Sequence, residues 1–323
     1  MQTAFYIPEQ YLPSAERQAS WTSGLAPELL GGGKAASAQS WIYQTWAELR
    51  NTCRVELVTQ LPDEGAIITL SNLLHENFRA NPKQFVVSAA ADFLPHPGAQ
   101  VQILQNAAHA RRLPGTIFVP HWPQPGLVPR DPSRGQAVET AAFFGDPSNL
   151  APEIARDEFS RQLIRETGVR LEIREASQWH DFSNVDIAVA IRDFSRARHL
   201  GKPATKLYNA WLAGVPLIGG SDSAFSAEGK PGTDYLVAGS PDELLRQIRE
   251  LKENPAAWQT IVDAGKASSA ARSRDAIRKI WQHLCDSEIP RRFEAWEKKP
   301  PLEQAAFWQA KRGLYFLDRK FRS

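Results

Sequence analysis

Short apolar runs alternate with helical segments twice over in this chain, with a proline-rich stretch between the two series. No other feature constrains the fold as much. In the first series the runs fall at residues 5–8, 55–58, 66–70, 85–90, 101–104 and 116–120, and the spacing predicts a helix over 34–50. Apolar runs this short, joined by helices, specify a parallel sheet with crossover connections. The stretch PHWPQPGLVPRDPSRGQ over 120–136 carries no periodicity and is dense in proline and glycine, so it reads as an interdomain linker or crossing loop. After it the pattern restarts with a strand over 139–144, a helix over 152–166 and further strands at 169–174, 186–191, 215–218 and 235–237. Ser240 then opens a helix as its N-cap, with Pro241 at the first position and Asp242 and Glu243 in the first turn. The expected fold class is α/β with two Rossmann-like domains, residues 1–136 and 137–300. A chain of 323 residues with 42% hydrophobic content can fill two such cores.

Composition removes several classes of function. Only Cys53 and Cys285 are present, which excludes a disulfide scaffold and a cysteine-rich metal site. A formal net charge of +2 carries no signature of a nucleic-acid partner. The first residues lack a basic-then-apolar leader pattern, and no apolar run approaches the roughly 20 residues that span a bilayer. A cytoplasmic protein, soluble or peripheral to the membrane, is expected. His180–Asp181 lacks a third partner and no H-x-x-x-H or H-E-x-x-H occurs, so no obligatory metal is expected. The G-x-S-x-G elbow of serine hydrolases is also missing.

The most informative segment is KPATKLYNAWLAGVPLIGG, residues 202–220. Leu207, Ala210, Trp211 and Ala213 follow a helical period, Gly214 is a C-cap, and a buried strand ends at Gly219 and Gly220. Lys202 and Lys206 lie at or before the helix N-terminus, where free backbone N–H groups and the positive end of the dipole favour an anion. A diphosphate suits that position; solvated lysines at an ordinary helix-to-strand joint are the plain alternative. Lys206, Asn209, Ala210, Ala213, Gly214 and Pro216 resemble the K-x-x-N-A-x-x-A-G…P segment of α1,3-fucosyltransferases. More loosely, they resemble the E-A-x-x-x-G-x-P segment of other GT-B glycosyltransferases. Thr205 and Asn209 stand where those patterns carry acidic residues.

The resemblance implies two Rossmann-like domains in GT-B arrangement, with residues 301–323 forming a helix that crosses back to the first. It further implies a nucleotide-diphosphate sugar as donor substrate, with no separate cofactor, and a glycan, lipid-linked or small-molecule acceptor. Gly145 and Arg192, at the ends of second-half strands, join Lys202, Lys206 and Asn209 as donor-binding candidates. Arg192 salt-bridged to Asp193 or Asp181 is the structural alternative. The glycines at 31–33 precede a long helix, and Gly33 is a further donor candidate if this loop touches the phosphates; a flexible joint is the other reading. Asp92, His96 and His121 follow first-half strands and are the candidate catalytic bases, with His75 a fourth. Loop residues of these types also cap turns. Trp41, Trp46, Trp122, Trp179 and Trp211 are expected to face cleft or core. Cations and aromatics interleave in FWQAKRGLYFLDRKFRS, which suits either packing on the first domain or contact with an anionic membrane surface. Glycosyl transfer is the expected function. A sugar-nucleotide epimerase, or a catalytically silent nucleotide-sugar-binding or interaction protein, is the alternative.

Overall fold

A computed structural model describes residues 2–14, 33–195 and 197–321. The first sheet holds β1 (Thr3–Tyr6), β2 (Val55–Val58), β3 (Gly65–Leu70), β4 (Gln84–Ala89), β5 (Val101–Leu104) and β6 (Thr116–Phe118). All are parallel, in the order β2-β1-β3-β4-β5-β6. The second sheet holds β7 (Thr140–Phe144), β8 (Arg170–Arg174), β9 (Ile187–Ala190), β10 (Leu217–Gly219) and β11 (Leu236–Val237). It too is parallel, in the order β11-β10-β9-β7-β8. Most central strands are buried along their length, as runs of Ile, Val, Phe and Ala covered on both faces require.

The helix expected over 34–50 consists of α1 (Gly33–Ala38), a π turn over Gln39–Tyr43 and α2 (Gln44–Leu49). α3 (Ala107–Arg112) lies between β5 and β6. The second sheet is wrapped by α4 (Asp157–Thr167), α5 (Thr205–Ala213), α6 (Ser223–Glu228), α7 (Pro241–Glu253) and α8 (Pro255–Ser269). Gly214 caps α5 in the left-handed region at φ +72°, and Ser240 Oγ accepts from Glu243 N to start α7. The chain finishes with α9 (Arg274–His283), a π turn over Leu284–Glu288, α10 (Ile289–Glu297) and α11 (Pro301–Phe321).

The core assigns these last helices differently from the sequence reading. Ile277, Trp281, Leu284, Ile289, Phe293 and Trp296, expected in a second domain reaching residue 300, pack with Phe5, Trp41, Ile67 and Val87 in the core of the first sheet. The second core instead runs from Val138 to Val262. The reason is a continuous apolar stripe on α9 and α10, reinforced where Arg274 and Arg278 meet the buried Glu48 of α2. α11 continues over the same domain: Trp308 joins the core and Lys311 Nζ donates to the carbonyls of Ala99 and Gln100.

The proline-rich crossing is docked along its length. Val128 N donates to His180 O and Arg130 N to Ala213 O. Arg130 also reaches the buried Asp186 at the start of β9, whose carboxylate further accepts from Arg134, Glu139 N and Thr140 N. Burial alone raises the Asp186 pKa, yet these donors hold it below the usual carboxylate range. In each sheet the strand order reverses at one place, between β1 and β3 and between β7 and β9. Ligands of open α/β sheets bind beyond the strand ends at such reversals.

Candidate functional site

A cavity of about 600 Å³ lies between the two domains. Its lining comes almost entirely from the loops that follow the strands. The first domain contributes Asn72 after β3, Ala91 and Asp92 after β4, Gln105 after β5, His121 after β6, and Ser37, Ser40 and Trp41 from α1 and its π turn. The second contributes Gly145 and Asn149 after β7, Trp179 and Phe182 after β8, Arg192 after β9, and Lys202, Thr205, Lys206 and Asn209 at the start of α5.

Lys206 sits in the first turn of α5, with Nζ 5.3 Å from the centre of the Phe143 ring. No carboxylate pairs with it among the described residues. Burial is the main reason its pKa falls to about 7, and the charge of Arg192 adds to the effect. A Cβ on Gly145 would lie 3.2 Å from both Cε and Nζ of Lys206 and 3.2 Å from Phe143, so glycine leaves room for the ammonium. Arg192 bonds neither Asp181 nor Asp193. Its Nη1 donates to Asn149 Oδ1 at 2.8 Å and its Nε to the buried Asp222 at 3.4 Å. Lys202 pairs with Asp92 across the cleft at 3.4 Å. Asn209 accepts from Gln124 N at 2.9 Å, tying α5 to the crossing segment. Three cations thus converge on one wall of the cavity, and the two guanidinium bonds fix the fork of Arg192.

On the facing wall, His121 directs Nδ1 at Trp122 O, 2.7 Å away. A carbonyl only accepts, so Nδ1 carries the hydrogen and the neutral ring keeps its lone pair on Nε2. Burial lowers its pKa, which favours that neutral, basic form at pH 7. Trp41 meets the same ring edge-on at 5.2 Å. Asp92 also lines the cavity, but its two oxygens are engaged by Gln105 Nε2 at 2.9 Å and by Lys202.

His96 is a correction to the sequence reading. Its ring is buried outside the cavity, where Nδ1 accepts from Gly98 N and Nε2 meets His75 O, so both nitrogens hold a turn together. His75 is exposed, accepts from Asn77 N, and likewise does not line the cavity. Gly33 begins α1, three residues before Ala36 of the cavity lining; Gly31 and Gly32 lie outside the described residues. Of the tryptophans, Trp41 and Trp179 reach the cavity, while Trp46, Trp122 and Trp211 pack in cores. In α11, the Lys311 ammonium lies within 6 Å of the ring centres of Phe307, Trp308 and Tyr315. Phe307 and Trp308 pack on the core of the first domain, whereas Leu314 and Phe316 of the same helix are exposed; Arg322 lies outside the described residues.

The sequence reading also missed several cavity residues. Asn72, Ser40, Phe144 and Phe182 carry no motif, although Asn72 directly follows a strand at a sheet reversal. Phe144 and Phe182 stack at 3.9 Å, beside Trp179, in an apolar part of the cavity. Among the described residues no group of His, Cys, Asp and Glu is placed to hold a metal, and no helix is long and apolar enough to cross a membrane.

With this geometry in place, comparison with known proteins is informative. Residues 153–284 match the family model described as glycosyl transferase-like. The chain is similar to crystallised Anabaena Alr3699/HepE in complex with UDP-glucose, at 13% identity over 89% of this chain and 100% of that one, with a TM-score of 0.51. The chain has the GT-B fold. That GT-B likeness extends to AviGT4, a glycosyltransferase involved in avilamycin A biosynthesis (10% identity, 89% of this chain, 98% of that one, TM-score 0.50). It extends also to TarM (8% identity, 76% and 58%, TM-score 0.51). No curated protein matches the chain by sequence.

Proposed function

We propose that the cavity is the site of a glycosyltransferase that moves a hexose or deoxyhexose from a nucleoside diphosphate to an acceptor hydroxyl. The observation that carries this reading is Lys206, a cation with no carboxylate partner, held at a helix N-terminus and facing a cavity between GT-B domains. A diphosphate supplies the missing charge, with Arg192 and Lys202 beside it and the α5 dipole behind it. The base stacks in the apolar corner made by Phe144, Phe182 and Trp179, and the donor follows the UDP-sugar of the similar HepE complex. The K-x-x-N-A spacing, which resembles that of α1,3-fucosyltransferases, supports the same phosphate role for Lys206.

Catalysis then rests on positioning and on neutralising the charge that gathers on the leaving diphosphate. His121 Nε2 is the group placed to take the proton of the acceptor hydroxyl. Asp92 instead holds Lys202 and so couples the domains. Because side-chain cations supply the neutralisation, turnover persists in EDTA.

The test is calorimetric titration with UDP, followed by release of UDP from UDP-glucose with and without an acceptor panel, on the protein and on Lys206→Ala. We expect UDP to bind, acceptors to accelerate its release, and the substitution to cost at least about tenfold in affinity and on the order of a hundredfold in rate. A folded protein that ignores UDP, or a Lys206→Ala variant that binds it unchanged, would refute the assignment. Binding without turnover would favour the silent nucleotide-sugar-binding protein.

A further inference from the structure

The ion pair of Asp92 with Lys202 crosses the cleft at 3.4 Å with both side chains partly open to solvent, at 48% and 33%. The neighbouring pair of Asp222 with Arg192 is far more enclosed, at 3% and 13%. What surrounds the open pair is held in place. Ala91 takes a left-handed φ of +49° ahead of Asp92, and Gln105 donates to Asp92 Oδ1 at 2.9 Å. On the second domain, Asn106 Nδ2 donates to the Lys202 carbonyl at 3.1 Å and Gln105 Nε2 to that of Gly201 at 3.1 Å. The backbone on both sides is thus tied down, while the Lys202 ammonium, on its flexible four-carbon stem, can swing without it. Asp92 also acts by charge on a functional group in each wall, His121 in the first domain and Lys206 in the second. The other neighbours of the His121 ring are the Trp122 carbonyl and Trp41.

We infer that Asp92 is a positioning residue operated by the donor: the diphosphate takes the Lys202 ammonium from Asp92, and the carboxylate left behind supports the positive charge that His121 gains from the acceptor hydroxyl. Chemistry sets the direction of the exchange. A half-exposed lysine–carboxylate pair is weak, and a diphosphate offers the same ammonium more charge and more oxygens. Asp92 keeps Gln105 as a partner throughout, so only its neutralising cation is lost. An unneutralised carboxylate favours the protonated form of a nearby imidazole. In the transfer the hydroxyl proton passes to Nε2 of His121, the hydroxyl oxygen bonds the anomeric carbon, and the diphosphate leaves with the electron pair of the bond that breaks. Before the donor arrives, Lys202 cancels Asp92 and His121 is the weaker base. The acceptor side is therefore armed only when the donor is in place. The exchange rests on the glycosyl-transfer reading for the identity of the donor, though not for the competition between phosphate and carboxylate.

The test is a double-mutant cycle on the full chain, with Asp92→Asn, Lys202→Met and the two combined, read by calorimetry with UDP and with inorganic pyrophosphate. We expect Asp92→Asn to tighten both ligands about two- to fivefold, since the lysine no longer has to leave a partner, while slowing release of UDP from UDP-glucose. In the Lys202→Met background the tightening should vanish. A second readout is His121 itself, whose ring signals in histidine-labelled protein are identified by their loss in His121→Gln. Saturating UDP should raise its titration midpoint by at least about half a pH unit more in the native chain than in Asp92→Asn. Lys202→Met should raise that midpoint with no ligand at all, which decides the matter if Asp92→Asn does not fold.

Tightening that persists in the Lys202→Met background is plain repulsion between Asp92 and the phosphates and overturns the exchange. A His121 midpoint that ignores both UDP and Lys202→Met overturns it as well. Either failure with UDP still bound leaves the donor reading intact. If pyrophosphate shows the cycle and UDP does not bind, the nucleotide reading falls and the exchange stands; if neither ligand binds, both fall.

Discussion

Lys206 has an ordinary neighbourhood for an anion-binding lysine, with Asp222 and Asp92 acting on it at longer range but no carboxylate in ion-pair contact among the described residues. Bound diphosphate would return the ammonium to its usual high pKa, so binding near neutrality takes up a proton. Above pH 7 the phosphates of UDP are already ionised and contribute no titration of their own. The free protein, with Lys206 at about 7, must therefore be protonated before it binds. Affinity should fall about tenfold per unit above that pH, until the pKa of the bound state is reached, and should fall again well below neutrality as the terminal phosphate, with its second pKa of about 6, takes up a proton. Calorimetry in buffers of different ionisation enthalpy checks this directly. A flat profile from pH 6 to 9, or one that survives in Lys206→Ala, would assign the titration elsewhere. The position of this lysine, in the first turn of a helix at the cavity, was legible in the sequence because helix start and side-chain type are local features. The pairing of Asp92 with Lys202 was not, since nothing within a few residues reveals a partner on the other domain; only the packed cleft does.

At the level of elements, the end of β7 and the start of α5 are fitted to one another through Gly145. Replacing it with alanine sets a Cβ against the Lys206 ammonium and the Phe143 ring at 3.2 Å. The lysine end must give way by a few tenths of an ångström. We expect Gly145→Ala to weaken UDP about tenfold and, because Gly145 holds φ +158°, to lower stability by about 1–3 kcal/mol; a folded variant with native affinity would show that the cation has room to spare. Strands were the most legible elements, since β3, β4, β7 and β9 are near-continuous apolar runs that admit little else. Short α3 and α6 escaped notice because six residues do not establish a period. His96 misled for a related reason: the strand before it is real, but the loop turns back and spends both ring nitrogens on the backbone. The boundary at residue 300 failed because an apolar stripe on α9 says that a partner exists and not which sheet supplies it.

At the scale of the molecule, the two domains are latched beside the cavity by a small polar set. Asn106 caps α3 by accepting from Ala108 N and His109 N, and its Nδ2 crosses to Lys202 O and Ser223 Oγ at 3.1 and 3.0 Å. Gln105 reaches Gly201 O nearby, and Asp92 pairs with Lys202. Asn106→Ala should cost about 1–3 kcal/mol through the lost cap and bonds. It should also increase the radius of gyration in small-angle scattering of the nucleotide-free protein, a change that UDP reverses. An unaltered scattering curve would mean that the latch does not set the domain spacing.

The first domain takes its final helices from the far side of the second, and this has a bearing on synthesis. The second core is contiguous in sequence and is complete once Val262 has left the ribosome. The first, although begun at Thr3, still lacks Trp281, Trp296 and Trp308 at that moment. The domain that starts first therefore finishes last, and its half-covered sheet is the surface a chaperone would meet on the nascent chain.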